Sequence, residues 1–161
     1  MSVLARSPGD VLSSMHFDPG HFTASGFVTD ATNSRMLVIH HRRLDRWLQP
    51  GGHVEPTDPT LLAAAVREVL EETGVAVVAP DEDGEAPGLF DVDIHRIPAS
   101  SSGPRHLHHD LRFRFVADRA TLAVGAEVVD ARWVTLEELG ALTRERSMLR
   151  PARRLLAGDQ T

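Results

Sequence analysis

The chain contains several short stretches in which apolar and polar residues alternate, and one longer stretch in which apolar residues recur every three or four positions. The first pattern predicts strands, and the second predicts an amphipathic helix. Turn-forming residues at 30–34 join the first two stretches, so we expect these to pair as a hairpin. The predicted strands cover residues 21–29, 35–41, 75–79, 89–97, 106–117 and 128–134. Residues 47–52 lead into a predicted loop at 53–57, and residues 80–88 form a second predicted loop.

Residues 59–73 form the strongest predicted helix. Asp58 is its predicted N-cap, Pro59 suits its first position, and Gly74 fits the position just after its end. A capping-box spelling at residues 135–138 predicts a short second helix, and an Arg-rich third helix is expected within residues 144–157. The last residues, from 158 onward, are expected to fray. Strands on both sides of one long helix, followed by terminal helices, predict a mixed α/β layered domain.

The composition narrows the possible chemistry. The 161 residues contain no Cys and no Tyr, and their net charge is −6. At this length we expect one domain over residues 1–161, with residues 1–20 as an N-terminal extension. Without Cys there are no disulfides, no thiolate metal sites and no thiol nucleophile. Residues 1–8 lack the apolar region of a secretory signal and no stretch is long enough to span a membrane, so we expect a cytoplasmic protein. The acidic charge argues against a nucleic-acid polymer as partner.

Three carboxylates lie on one face of the long helix. Glu68, Glu71 and Glu72 share an arc of about 100° on a helical wheel, while the apolar Val66 and Val69 fall outside it and should pack on the sheet. Repulsion between the carboxylates destabilises the helix unless something compensates, and the helix dipole disfavours negative charge in this last turn. Mg²⁺ selects carboxylate oxygens, so a divalent-cation site is one interpretation. A solvated acidic face is the other, and it is the more frequent one for an isolated Glu-x-x-Glu-Glu.

The residues around these carboxylates resemble the Nudix box, G-x5-E-x7-R-E-U-x-E-E-x-G-U, in which U is a bulky aliphatic residue. The stretch 67–75 (REVLEETGV) matches the second half of the box at every specified position, and Gly52 matches its first Gly. Trp47, in the approach to the glycines, and Trp133, in the last predicted strand, are also typical of the family. The resemblance covers residues 23–142.

One position departs from the box. The chain has Asp58 where the box has its first Glu, and one extra residue separates this acid from Arg67. In the family, that Glu pairs with the box Arg and holds the loop on the helix. We expect Asp58 to keep this role and also to cap the helix.

The resemblance implies an α/β/α sandwich with a central mixed sheet. It also implies hydrolysis of the pyrophosphate bond of a nucleoside diphosphate linked to another moiety, with Mg²⁺ or Mn²⁺ neutralising the phosphate oxygens. By this match Glu68, Glu71, Glu72 and the carbonyl of Gly52 are the metal ligands, and Glu71 or Glu72 is a candidate base. Arg67 would orient the carboxylates by bidentate hydrogen bonding.

Several points stay open within the resemblance. Glu127 lies where some family members have an additional acid that acts as ligand or base, and a solvated loop residue is an equally good interpretation. Nucleoside triphosphates, ADP-ribose and nucleotide sugars are all candidate substrates, whereas the lack of Tyr argues against dinucleoside polyphosphates. A Nudix-like ligand-sensing domain without turnover is the alternative, although such domains often lose box carboxylates. A diphosphate isomerase that shares this scaffold needs a Cys, which this chain lacks, so that activity is set aside. Many relatives dimerise, so a homodimer is compatible with the resemblance.

The strand predicted at residues 106–117 has two distinct faces. One carries His108, Asp110 and Arg112, and the other carries His109 among apolar residues, where a structural role is expected. The polar face is either solvated or a substrate surface in which His108, Asp110 and Arg112, with His53 of the preceding loop, bind phosphates or a base.

A polar face also follows the strand predicted at residues 89–97, where Asp91, Asp93 and His95 alternate with apolar residues. If the two strands pair, these side chains extend a polar wall that faces the carboxylate helix or solvent. The i, i+2 spacing of His106 and His108 is also compatible with a transition metal, which imidazole suits.

Overall fold

The computed structural model describes residues 9–78 and 88–157. These residues form eight strands and three helices, in the order β1 (Gly20–Thr29), β2 (Met36–His41), β3 (Arg46–Leu48), β4 (Gly51–His53), α1 (Leu61–Thr73), β5 (Val77–Val78), β6 (Leu89–Ile97), β7 (His106–Ala117), β8 (Val128–Val134), α2 (Leu136–Leu142) and α3 (Arg146–Leu156). The predicted loop at 80–87, the end of the strand predicted at 75–79, the first eight positions and the tail from 158 lie outside the described residues.

All eight strands belong to one mixed sheet in which β1 is central. Strands β3, β2, β1, β7 and β5 follow one another across the sheet, while β4 pairs with β1, β6 with β7 and β8 with β2. β1 and β7 run parallel, from Gly20 opposite Leu107 to Thr29 opposite Val116. The other pairings are antiparallel, including the predicted hairpin of β1 and β2.

Helices cover both faces of this sheet. On one face, Phe113 and Phe115 of β7 pack with Ala65 and Val69 of α1 in one apolar cluster. On the other face, Phe27 of β1 belongs to a second cluster with residues of α2 and α3. The predicted α/β/α sandwich is therefore confirmed. The predicted packing of the apolar side of α1 on the sheet is confirmed as well, since each helix buries one apolar stripe.

A glycine allows α1 to lie close to the sheet. A Cβ built on Gly26 of β1 would stand 2.6 Å from Cγ2 of Val69. That distance is shorter than any real carbon–carbon contact, so a larger residue would push the helix away. The close packing keeps the carboxylates of α1 near the strands that surround β1.

The predicted N-terminus of α1 is wrong by two residues. Thr60 is the N-cap, and its Oγ1 accepts a hydrogen bond from the N–H of Ala63 at 3.0 Å. Asp58 does not serve as the cap, because its carboxylate accepts hydrogen bonds from the backbone N–H of Glu55 and from the guanidinium of Arg67. The predicted end is confirmed, because Gly74 adopts the left-handed conformation with φ of 68° and donates to Leu70 O at 2.8 Å.

The remaining predicted elements agree with the structure apart from short ends. Thr135 and Glu138 form the predicted capping box of α2, and α3 lies within the Arg-rich segment. Strands β3 and β4 lie in a stretch for which the sequence pattern predicts no strand. Among the described residues, no helix is long and apolar enough to cross a membrane.

Candidate active site

A cleft of about 520 Å³ opens where α1, β4 and the middle of β1 meet, a size typical of small-molecule sites. Its wall includes most of the residues singled out from the sequence: Gly52, His53, Arg67, Glu68, Glu71, Glu72, His108, Asp110 and Glu127. It also includes His95 of the second polar face, and residues that no sequence pattern indicated, among them Thr23, Ser25, His41, Arg43 and Gln49.

The glycines of β4 hold the carboxylates of α1 in place. Glu72 is buried, and its Oε2 accepts a hydrogen bond from the N–H of Gly51 at 2.9 Å. A Cβ built on Gly52 would lie 2.6 Å from Oε1 of Glu68, so only glycine leaves room for this carboxylate. β4 is itself fixed on the central strand, with Ala24 opposite Gly52. The sheet thus sets the position of both carboxylates.

Arg67 connects the loop after β4 with the acidic face of α1. Its guanidinium donates to Asp58 through Nε at 3.1 Å and Nη2 at 2.9 Å, and Nη2 also donates to His53 O at 2.9 Å. Nη1 donates to Glu68 Oε1 at 3.1 Å and to Glu71 Oε2 at 3.0 Å. The expected pairing of Asp58 with the box Arg is therefore present despite the shorter acid. These bonds lower the pKa of Asp58 and raise that of Arg67, because each favours the charged form.

The negative charges of Glu68, Glu71, Glu72 and Glu127 repel one another. Burial raises the pKa of Glu72 to about 8; the N–H of Gly51 opposes this, and the charges of Glu68, Glu127 and Glu71 add to it. Burial also raises the pKa of Glu68, against the lowering effect of Arg67. A bound cation would relieve this repulsion, so the donor set and its charge fit a divalent metal ion.

Glu127 reaches the cleft from the loop between β7 and β8. This loop is fixed on the end of α1, since Ala123 N–H donates to Thr73 O at 2.8 Å and Gly125 N–H donates to Glu72 O at 2.9 Å. The carboxylate of Glu127 is 79% exposed, and its Oε2 lies 4.0 Å from Nε2 of His41. The loop therefore adds an acid that is accessible to water opposite the carboxylates of α1.

Asp110 lines the cleft but is engaged by its neighbours. Its carboxylate accepts hydrogen bonds from Thr23 at 3.1 Å, Ser25 at 2.9 Å, Gln49 at 3.2 Å and Arg112 at 2.9 Å. Four donors occupy the acceptor positions of one carboxylate. The arrangement fixes Gln49 and Ser25 at the cleft wall.

Arg112 does not reach the cleft, which corrects its expected place among substrate-binding residues. Its side chain is 4% exposed and lies within 3.4 Å of the carboxylates of Asp91, Asp93 and Asp110. Nη1 also donates to the carbonyl of Ser147 in α3 at 2.7 Å. Helix α3 covers the part of β7 that carries Arg112. The alternation of polar and apolar residues along β7 does not show that a helix packs there.

The polar wall of β6 and β7 exists, but it lies on the opposite side of the sheet from α1. Asp93 stands opposite Asp110 and His95 opposite His108 in the antiparallel pairing. Phe113 and Phe115 take up the α1 side, as their alternation predicts. His109 shares that side, is buried, and packs edge-on against Phe22 at 5.9 Å between ring centroids. The wall therefore meets the cleft at His95, His108 and Asp110.

The fold and the cleft define a class of α/β/α sandwich domain in which carboxylates of one helix converge on a Gly-Gly strand, the arrangement of a divalent-cation site. Residues 20–156 match the NUDIX domain. Because this match covers most of the chain, the protein belongs to the NUDIX family.

The individual relatives and solved structures that resemble the chain have low sequence identity to it. The phosphatase NudJ of Escherichia coli strain K12 is 29% identical over 114 residues, which cover 64% of this chain and 60% of that protein. The chain thus spans less than two thirds of the length of the curated relatives it matches. A NUDIX-family hydrolase from Clostridium perfringens has a TM-score of 0.69 at 20% identity, covering 85% of this chain and 96% of that one. The NUDIX domain of Shewanella oneidensis NrtR, solved with ADP ribose, has a TM-score of 0.57 at 16% identity, covering 84% and 87%. Both likenesses support the fold.

Proposed function

We propose that the protein is a pyrophosphohydrolase acting on phosphorus-containing anhydrides of the type in which a nucleoside diphosphate is linked to another moiety. The observation that carries this proposal is the convergence of Glu68 and Glu72 on the Gly51-Gly52 backbone inside the cleft, with Glu127 opposite. Nucleoside triphosphates, ADP-ribose and nucleotide sugars all contain the required diphosphate.

Glu68, Glu71, Glu72 and the carbonyl of Gly52 are the residues that would hold Mg²⁺ or Mn²⁺. The raised pKa of Glu72 is consistent with this assignment, because a bound cation would favour the ionised carboxylate that burial and the neighbouring acids disfavour. When bound, such an ion neutralises phosphate oxygens and so lowers the barrier to displacement. We expect the cation to be essential for turnover.

The chain's own residues would position the reactants. Arg67 fixes the orientation of Glu68 and Glu71 by its hydrogen bonds and does not itself need to contact the substrate. Glu127, exposed at the cleft edge, is the proposed acceptor of the proton from the attacking water, with Glu72 as the alternative acceptor.

The other residues that line the cleft would receive the rest of the substrate. Among them are His53, His108 and Gln49, and Arg43 supplies a cation. A guanidinium can pair with phosphate oxygens in an otherwise acidic protein. Asp110 would act by holding Gln49 in place. The homodimer and the cytoplasmic location remain predictions from the sequence.

The proposal is tested by incubating the purified protein with Mg²⁺ and a panel of nucleoside triphosphates, ADP-ribose and nucleotide sugars, and measuring the nucleotide products. We expect turnover of at least one substrate class, abolished by chelation and reduced by at least about a hundredfold in Glu72→Gln, since a carboxylate at the reaction centre is lost. Glu137→Gln on α2 is the matched control and should retain activity. Ligand binding without turnover on any substrate would contradict the proposal and favour a sensing domain.

A further inference from the structure

Three histidines from different strands meet beside the cleft, on the face of the sheet away from α1. His21 of β1, His53 of β4 and His108 of β7 each offer one ring nitrogen, and the three nitrogens lie within 4.8 Å of one another. The ring centroids are 4.7 Å apart for His21 and His108, and 5.2 Å for either ring with His53. Neighbouring polar rings in a folded protein need a reason, because burial of polar groups costs free energy unless they are satisfied.

The sheet brings these side chains together by its register. His21 pairs directly with His108 across the parallel strands, and His53 pairs with Thr23 across the antiparallel ones. Positions 21 and 23 of β1 point to the same face, because side chains alternate along a strand. The cluster is therefore fixed by three paired backbones, which is the rigid support that a metal site requires.

His21 is oriented as a ligand. Its Nδ1 lies 3.0 Å from the carbonyl oxygen of His16, which can only accept, so Nδ1 carries the proton and Nε2 has the free lone pair. Within the described residues, the buried Nε2 has no hydrogen-bond partner. Metal-bound histidines characteristically donate their other ring N–H to a carbonyl or carboxylate in this way. The side chain is 1% exposed, so bulk water does not satisfy it either.

The charge state favours a cation over an anion. Burial and the neighbouring imidazoles lower the pKa of His21 to about 4 and that of His108 to about 2. The rings are neutral near pH 7, so they attract phosphate weakly but can donate lone pairs. Neutral imidazole suits zinc, copper, nickel and iron, whereas Mg²⁺ takes oxygen ligands.

We propose that His21, His53 and His108 form a nitrogen-donor site for a divalent transition-metal ion of the zinc class, separate from the carboxylates of α1. Three nitrogens around a tetrahedral zinc ion stand about 3.3 Å apart for bonds of 2.0–2.1 Å, so the rings move inward by about 1.5 Å or less on binding. Three protein ligands leave a fourth position, and two of the three, His53 and His108, line the cleft. The site does not depend on the hydrolysis proposed above.

The test measures metal binding by the full-length protein. Zn²⁺ is titrated calorimetrically in saturating Mg²⁺, which occupies the carboxylates, and Co²⁺ is titrated with detection of visible absorption. Nitrogen ligands in a four-coordinate site give intense Co²⁺ bands, whereas an octahedron of oxygens gives weak ones. We expect one Zn²⁺ per chain and intense Co²⁺ absorption, both retained in Glu72→Gln.

Variants assign the ligands. His53→Gln and His108→Gln should each weaken Zn²⁺ binding by at least about tenfold, the scale on which even outer partners of metal ligands matter. His40→Gln, on β2, is the matched control and should bind like the wild type. His53 is exposed, so its variant is expected to fold, and a thermal melt checks this for each protein. Absence of Zn²⁺ binding in Mg²⁺, wild-type affinity in both variants, or loss of binding in Glu72→Gln would overturn the proposal.

Discussion

Asp58 and Arg67 form a two-point fork, with Nε donating to Oδ1 at 3.1 Å and Nη2 donating to Oδ2 at 2.9 Å. The box of the family has a Glu here, and the chain has a shorter acid with one additional residue before the Arg. Asp58 also accepts from the N–H of Glu55 at 2.8 Å, and Arg67 binds the carbonyl of His53. The added residue thus lets a shorter side chain hold the same loop on the helix.

Asp58→Asn should lower both activity and stability. The amide keeps the size of the side chain but loses the charge and one acceptor, so Arg67 can no longer be held at two points. We expect a stability loss of about 1–3 kcal/mol in urea denaturation and a kcat/KM reduced by about tenfold to a hundredfold, because the carboxylates beside Arg67 shift. Glu55→Gln is the control, since that acid is 3.9 Å from Arg67 and exposed. Unchanged activity in Asp58→Asn would show that the fork has no functional role.

Gly52→Ala should impair metal binding without unfolding the protein. The added methyl would stand 2.6 Å from Glu68 Oε1, so this carboxylate must move. We expect Mg²⁺-dependent turnover to fall by about tenfold or more, because displacement of a reacting group by about 1 Å has effects of this size. Gly140→Ala in α2 is a matched control, since its Cβ would meet nothing within 4 Å and should leave activity unchanged. Equal activity of the two variants would contradict the proposed position of Glu68.

The sequence predicts the site better where the relevant contacts are local. The carboxylate face of α1 and the capping box at Thr135 follow from spacing alone, because the interacting residues are three or four positions apart. The end of α1 at Gly74 also depends on a contact between residues four positions apart. The pairing of Asp58 with Arg67 follows from the resemblance. The sequence does not show that this pairing leaves the N-cap position to Thr60.

The histidines show the same limit. His108 was singled out by alternation along its own strand, but His21, far away in sequence, meets it only through the parallel pairing of β1 and β7. A lone His in a strand of apolar and small residues carries no signal of a metal ligand. Knowledge of the strand order, which depends on long-range pairing, would have been needed to find the cluster.

Arg112→Met should reduce stability much more than substrate affinity. The guanidinium is buried among Asp91, Asp93 and Asp110, and its removal leaves these carboxylates without their shared cation. The expected loss is about 3–5 kcal/mol in chemical denaturation, as for other broken buried ion pairs, with KM unchanged at a temperature where the variant is folded. Arg132→Met is the control, because that guanidinium is 55% exposed and pairs with the partly exposed Asp130, for an expected loss below about 1 kcal/mol. A raised KM with full stability would instead return Arg112 to the substrate site.

The metal-free protein should lose stability relative to its Glu72→Gln variant as the pH rises from about 4.5 to about 8. Burial raises the pKa of Glu72 from 4.5 to about 8 in the folded chain. Between these values the unfolded chain has released this proton while the folded chain keeps it, so rising pH favours unfolding. Denaturation of the chelator-treated proteins across this range measures the free energy of unfolding of the wild type and of Glu72→Gln, which cannot titrate at this position. The difference between the two should change by the contribution of Glu72, whereas Glu137→Gln should follow the wild type. Saturating Mg²⁺ should remove this loss from the wild type, because it stabilises the ionised carboxylates in the folded state. A difference between wild type and Glu72→Gln that stays constant over this range would show that Glu72 is ionised in the absence of metal.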